Sequence, residues 1–377
     1  MKLKRPSSAH ITLLVILAVA AALRLYYAFT FKAKPDFSDM AIYNELALSG
    51  GIPTSPPPGY PLFLRTIYFV FGAYNYTAVY IVQTLIGILT VYLIYIAVTK
   101  VADREAGLIA GGIAAIYPNF IAYTVTTMTE TLGIFLVVLL TATMTLPSST
   151  KRQSIYAAIV LSIGYLIRPA FLFFFPGALG GVKRRLVLII TLVAVLGPWY
   201  IYASVAGGGS NRAALGFYKS YNPKATGIKH YRIEETELGS RDLPSGTYLK
   251  EAMKFILNNK WKTLDLIYKK ATLIISRGYD LYVLRDFVGY NSARVHIMLY
   301  AYIPVMILGF LGMLRLYDKQ NRVIAFTLTS YLVLNVLLSI FKIRYRVLAE
   351  PLLIMYAAIF LAAKCSFPKL HRIKDST

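Results

Sequence analysis

Long apolar runs alternate along this chain with short basic breaks. The runs cover residues 11–29, 77–98, 107–124, 130–146, 154–167, 169–182, 186–205, 296–314, 323–341 and 347–363. A helix rises about 1.5 Å per residue, so a run of roughly 20 residues crosses the hydrocarbon core of a bilayer. The pattern predicts an all-α polytopic membrane protein with about ten spans. The pair 154–167 and 169–182 is short and is interrupted by Arg168-Pro169.

The polar breaks orient the spans. Lys2, Lys4 and Arg5 precede the first run. With that end cytoplasmic, alternation puts Lys100 and Arg104, Lys151 and Arg152, Lys183 to Arg185, Arg315 to Arg322 and the basic tail on the same side. This is what the positive-inside rule asks. Both termini are then cytoplasmic in the cell membrane, and two large segments, 30–76 and 206–295, lie outside. The chain divides accordingly into an N-terminal transmembrane module (1–205), an extracytoplasmic segment (206–295), and C-terminal helices with a cytoplasmic tail (296–377). Within 206–295, Gly207-Gly208-Gly209-Ser210 reads as a flexible connector and 247–258 as an amphipathic helix. Residues 262–276 read as lying along the interface or beginning a membrane re-entry.

Composition narrows the classes. Of 377 residues 57% are hydrophobic, too many for a soluble domain with a polar surface. The net charge is +23 without any nucleic-acid motif, so topology and anionic headgroups account for it and nucleic acid is not an expected partner. The single cysteine, Cys365, excludes an intramolecular disulfide. No nucleotide-binding loop is present.

The first outer loop is unusual. In 35–61, PDFSDMAIYNELALSGGIPTSPPPGYP, Ser38 can cap a helix over Asp39–Leu48 that ends at Gly50-Gly51. Asp39, Tyr43 and Ala47 share one face of it. A stiff Pro-rich turn follows, then a second amphipathic segment over 62–71. Asp36 and Asp39 suit acid–base work, although acids in a first helical turn are also simply favoured by the helix dipole. Glu130, at the outer start of the fourth span, carries the same two readings. Arg24, Arg168, Lys342, Arg344 and Arg346 sit near outer span ends. Guanidinium forks match phosphate oxygens there, and the plain alternative is snorkelling to headgroups. Arg168, flanked by apolar residues, needs a partner most. His230 stands without a tight His/Asp/Glu cluster, so the sequence supplies no metal site, and no cofactor is called for; a divalent metal remains compatible with the chemistry but unsupported.

Together these motifs resemble the GT-C membrane glycosyltransferases, and above all the relatives of protein O-mannosyltransferases and lipid A aminoarabinose transferases. The likeness runs in order through Asp39-x-x-x-Tyr43-x-x-x-Ala47, Pro57-Pro58-Gly59-Tyr60-Pro61, Ala106-Gly107-Leu108, Tyr117-Pro118, Thr129-Glu130, Arg168-Pro169, Pro198-Trp199, Asn222-Pro223, Arg344-Tyr345-Arg346 and Glu350-Pro351. It implies a GT-C-type bundle with amphipathic helices in the first outer loop. It also implies transfer, with inversion, of a hexosyl or pentosyl group from a polyprenyl-phosphate carrier to an acceptor hydroxyl of a glycan, lipid or protein on the extracytoplasmic face. Asp39 matches the catalytic acid, with Asp36 and Glu130 as further acids. Arg168, Arg344 and Arg346 are the phosphate candidates, joined at the substrate by Tyr43 and Tyr60. Met40 departs from a branch that often carries a second acid there. Two other readings stay open: a lipid-linked-sugar transporter or flippase, and a membrane scaffold without activity. A transporter predicts many polar residues at mid-membrane, where this chain has few beyond Gln83 and Asn335.

Overall fold

The computed structural model describes residues 8–30, 38–145, 149–206, 211–227, 238, 243–275, 292–315, 321–339 and 343–374. Asp36 and Lys342 lie outside them. The described elements are helices: α1 (Ser8–Thr30), α2 (Ser38–Leu48), α3 (Gly59–Phe71), α4 (Tyr76–Val101), α5 (Arg104–Ile116), α6 (Pro118–Thr124), α7 (Glu130–Thr145) and α8 (Thr150–Ile167). A 3-10 turn (Pro169–Phe174) leads into α9 (Phe175–Gly181), α10 (Arg185–Val205), α11 (Asn211–Ser220), α12 (Ser245–Asn258) and α13 (Lys260–Ile275). The chain ends in α14 (Ser292–Arg315), α15 (Asn321–Leu338), α16 (Ile343–Arg346) and α17 (Glu350–Lys374).

Each apolar run has its helix, but not each is a full-length span. Among the described residues α1, α4 and α10 are long and apolar enough to cross a bilayer, and α5 with α6 makes a fourth if that bent pair counts as one. The apolar stretches of α7, α9 with its 3-10 turn, α14, α15 and α17 are shorter. Proline explains two of the breaks. The run 107–124 bends by 53°. Tyr117, before Pro118, is held extended at φ −68°, ψ 117°. Pro169 likewise ends α8 at Ile167.

The core is one large cluster in which α4 packs against α1, α5 and α7, while α17 lies between α14 and α5. A separate small cluster joins Tyr218 and Tyr221 to Tyr248, Ala252 and Phe255 of α12 and Leu266 of α13.

The bend creates a local demand for hydrogen bonds. Pro118 has no N–H to return to the Ala114 carbonyl. Arg24 of α1 fills the gap: Nη2 donates to the Ala114 carbonyl at 3.2 Å and Nη1 to that of Ala115 at 2.8 Å. Its side chain is 1% exposed and passes over Gly87, where a Cβ would meet Nε at 2.9 Å. The sequence grouped Arg24 with the arginines near outer span ends that would suit a lipid phosphate; the structure turns it inward, where the carbonyls opened by Pro118 accept its N–H groups. Arg24→Met should therefore lower the unfolding midpoint, costing on the order of 1–3 kcal/mol for the buried acceptors left unpaired. An unchanged melting temperature in detergent would show that Arg24 has no such role.

Candidate active site

The site begins with the way α2 is held. Arg65 of α3 donates to the carbonyls of Leu46 (2.9 Å), Ala47 (2.8 Å), Gly50 (3.2 Å) and Gly51 (2.6 Å). These groups at the end of α2 lack helical partners, and a guanidinium is well placed to satisfy them. Asn44, mid-helix and buried, donates to Thr127 Oγ1 (3.4 Å) and accepts from the Tyr68 hydroxyl (2.6 Å). Gly59 opens α3 against the end of α8, where a Cβ would lie 2.7 Å from the Leu166 carbonyl.

So fixed, α2 presents Asp39 and Tyr43 to a cavity of about 570 Å³. Asp39 forms an ion pair with Arg344 of α16, and its side chain keeps 35% exposure. The Tyr43 ring meets Tyr60 edge-on at 5.1 Å. Tyr60 is fully buried and donates to Gln83 Oε1 at 3.1 Å; Gln83 in turn donates to the carbonyls of Thr124 (3.0 Å) and Thr126 (2.8 Å). Tyr60 therefore stands behind Tyr43, not on the cavity wall. Burial, and after it the Asp39 carboxylate, raises the Tyr43 hydroxyl well above its ordinary range, so it stays protonated.

Arg168 reaches the same cavity from the end of α8. Its backbone is extended (φ −153°, ψ 114°), as a residue before proline must be. Nη1 donates to Glu130 Oε1 at 2.6 Å and to Thr129 Oγ1 at 3.4 Å. The guanidinium lies 4.6 Å from the Tyr345 ring centre, and that of Arg344 lies 5.8 Å from the same ring. Tyr345 is fixed by its carbonyl, which accepts from the Tyr331 hydroxyl at 2.7 Å. Glu130 is fully buried behind Arg168.

The cavity thus has a polar wall of Asp39, Tyr43, Thr129, Arg168, Arg344 and Tyr345. Its other side is aromatic and aliphatic, with Tyr165, Leu172, Phe173, Trp199, Tyr200 and Leu338. Sequence spacing did not reveal this second wall, whose members lie on α8, the 3-10 turn, α10 and α15.

Arg346 is placed elsewhere. Two residues along a helix turn about 200°, so Arg344 and Arg346 point apart. Arg346 is 2% exposed; Nε donates to Glu350 Oε1 at 3.2 Å, and the guanidinium sits 3.5 Å over the Tyr302 ring. Glu350 also accepts from Asn119 Nδ2 at 3.0 and 3.2 Å. This network ties α6, α14 and α17 together behind the segment that carries Arg344. Met40, where a second acid was considered, is 3% exposed and packs into the core. Among the described residues no three His, Cys, Asp or Glu side chains gather as metal ligands.

Helices α11 and α13 adjoin this region. Ala213 and Gly216 of α11 border the cavity, as do Leu338 and Ser339 at the end of α15. Lys270 of α13 is 1% exposed. It donates to the Tyr221 hydroxyl at 3.0 Å and to the Ser339 carbonyl at 3.5 Å, while that hydroxyl donates to the Leu337 carbonyl at 2.7 Å. An amine at a helix C-terminus supplies N–H donors to the free carbonyls there.

A model of the dolichyl-phosphate-mannose-protein mannosyltransferase family matches residues 55–206, a stretch that includes Glu130 and Arg168 and leaves out Asp39 and Arg344. The fold is similar to the crystal structure of ArnT from Cupriavidus metallidurans bound to undecaprenyl phosphate, with TM-score 0.57 and 12% identity over 95% of this chain and 61% of that one. It is also similar to the apo oligosaccharyltransferase of Archaeoglobus fulgidus, with TM-score 0.51 and 13% identity over 98% of this chain and 52% of that one. The chain thus spans between half and two thirds of those proteins, and the likeness is one of fold. Comparison with curated proteins finds no match. The all-helical fold that the motifs implied is the one found, and it is similar to that of these two structures.

Burial lowers the Lys270 ammonium to about 7. Unfolded lysine titrates near ~10.4, so between about pH 7 and 10 the unfolded chain binds the extra proton and stability rises with pH. Wild type should therefore gain thermal stability relative to Lys270→Met across that window. A difference between the two that does not change with pH would refute the assignment.

Proposed function

We propose that this chain is an integral-membrane glycosyltransferase that moves a sugar from a polyprenyl-phosphate carrier to an acceptor hydroxyl, with inversion. The observation that carries this reading is a cavity lined together by a carboxylate, two guanidinium groups and a set of aromatic and apolar side chains. An isoprenoid phosphate has the same division: a charged head on a hydrocarbon tail. A structurally similar protein has been solved with undecaprenyl phosphate, which agrees with that reading.

Asp39 is the proposed base. As the acceptor oxygen attacks the anomeric carbon, its proton passes to the Asp39 carboxylate. The bond from that carbon to the phosphate oxygen breaks, and the electron pair leaves with polyprenyl phosphate. Arg168 and Arg344 stabilise the growing phosphate charge where it develops. Glu130 holds Arg168 in place, and Tyr60 supports Tyr43, which donates toward the substrate. Arg344 has two suitors, since the carboxylate it pairs with and the incoming phosphate compete for one fork. Donor binding would draw Arg344 away from Asp39 and leave the carboxylate free to accept a proton.

The basic loops support ten spans with both termini cytoplasmic in the cell membrane, which would put the cavity on the extracytoplasmic side. The chain would then act on a hexosyl or pentosyl donor made inside and presented outside. Segment 206–295, through Ala213 and Gly216, would help to shape the acceptor side, the acceptor being a glycan, lipid or protein hydroxyl.

The test is release of free polyprenyl phosphate by purified protein supplied with polyprenyl-phosphate sugars and candidate acceptors. Asp39→Asn should lower turnover by about 10²–10⁴-fold while donor binding is kept. Arg168→Gln and Arg344→Gln should weaken donor binding as well as turnover. Undiminished turnover in Asp39→Asn would remove Asp39 as the base. Carrier translocation without any sugar transfer by wild type would overturn the transferase reading.

A further inference from the structure

Helices α12 and α13 carry an apolar face that nothing in the described chain covers. On α12, Leu249, Met253 and Leu257 recur every fourth residue and are exposed. On α13 the stripe continues through Trp261, Leu264 and Tyr268, with Trp261 85% and Tyr268 68% exposed. The opposite faces are used internally: Tyr248, Ala252 and Phe255 of α12 and Leu266 of α13 form the small separate cluster. Both helices are thus apolar on two sides, one packed and one bare.

Charge says what the bare side meets. Lys250, Lys254 and Lys260 are exposed beside the stripe, against the two acids Glu251 and Asp265; Lys262 instead donates to the Pro223 carbonyl at 2.6 Å and lies over the Phe255 ring, and Lys269 pairs with Asp265. At 100° per residue the lysines of α12 fall next to the Leu249–Leu257 row, on the side away from the packed face. An apolar row flanked by lysines, with a tryptophan and a tyrosine in it, has the composition of a helix lying in a bilayer interface. Helix α13 also adjoins the main helical body. The Tyr302 hydroxyl of α14 donates to the Ile274 carbonyl at 2.8 Å, and Lys270 holds the end of α15.

We propose that the successive helices α12 and α13 are a membrane-surface anchor, seating Leu249, Met253, Leu257, Trp261, Leu264 and Tyr268 in the headgroup region of a leaflet rich in anionic lipid. Its lysines then meet lipid phosphates. Because α13 packs against α15 and α16, the anchor fixes the wall that carries Arg344 relative to the lipid surface. The inference rests on the membrane reading and not on the transferase reading, so its test needs no activity.

The chain has two tryptophans, Trp199 and Trp261, which makes α13 visible to fluorescence. Full-length protein is reconstituted into vesicles of phosphatidylcholine and phosphatidylglycerol, with bromine placed either near the headgroup or deep in the acyl chain. Subtracting the emission of Trp261→Phe isolates the Trp261 signal, and the bare position of that side chain lets the variant fold. The expected result is strong quenching by shallow bromine, weak quenching by deep bromine, and less of both when phosphatidylglycerol is omitted. A Trp261 signal that no bromolipid quenches but aqueous iodide does would overturn the proposal. So would a signal shielded from both in a particle of twice the expected mass, which would assign the face to a second copy of the chain.

Discussion

A guanidinium removed from water must find oxygen, and this fold is built around that requirement. Arg65 finds the open end of α2, Arg24 the open end of α5, Arg168 the carboxylate of Glu130, and Arg346 that of Glu350. The carboxylates of Glu130 and Glu350 and the carbonyls that Arg24 binds are buried with their cations, whereas those of Gly50 and Gly51 stay open to the surface. Arg344 differs. Its partner Asp39 lines a cavity and keeps a third of its side-chain surface exposed. Arg24, Arg65 and Arg346 hold helices in place; Arg168 reaches the same cavity with its carboxylate buried behind it, and Arg344 stands where a ligand can compete for its partner.

Proline sets where those pairs can form. Pro169 imposes the extended backbone that carries Arg168 away from α8 and toward Glu130. Without that turn Arg168 would follow the helix and point along it. The polar wall is therefore assembled from segment ends: the start of α2, the start of α7, the end of α8 and the short α16. Segment ends are where a membrane helix can offer charge without burying it in hydrocarbon.

Much of this was legible in the sequence, for identifiable reasons. Apolar runs fixed the helices because lipid leaves the backbone few alternatives. The helix over Asp39–Leu48 was readable from Ser38 and Gly50, and the pairing needs of Arg168 from its apolar flanks. What could not be read was direction. Arg344 and Arg346 look equivalent as letters, yet the turn of the helix sends one to the cavity and the other to Glu350 and Asn119. Arg24 looked like an outer-face cation because the bend that recruits it lies on another helix. Tyr60 was grouped with Tyr43 by motif, and the structure sets Tyr60 edge-on behind it. The aromatic wall stayed hidden because its residues come from four segments that only tertiary packing brings together.

The bend at Tyr117-Pro118 has one more implication. Pro118 opens carbonyls in a setting without water, and Arg24, on a helix far earlier in the chain, closes them. Gly87, on a third helix, leaves the corridor through which the side chain passes. The three residues are one solution distributed over three helices, so they are heritable only as a set. A chain that drifted at Pro118 toward an ordinary helix former would leave Arg24 with the Ala20 carbonyl of its own helix as partner in place of the opened ones, and one that drifted at Arg24 or Gly87 would leave the kink unsupported. Substitution at any of the three should be tolerated only when the others change with it.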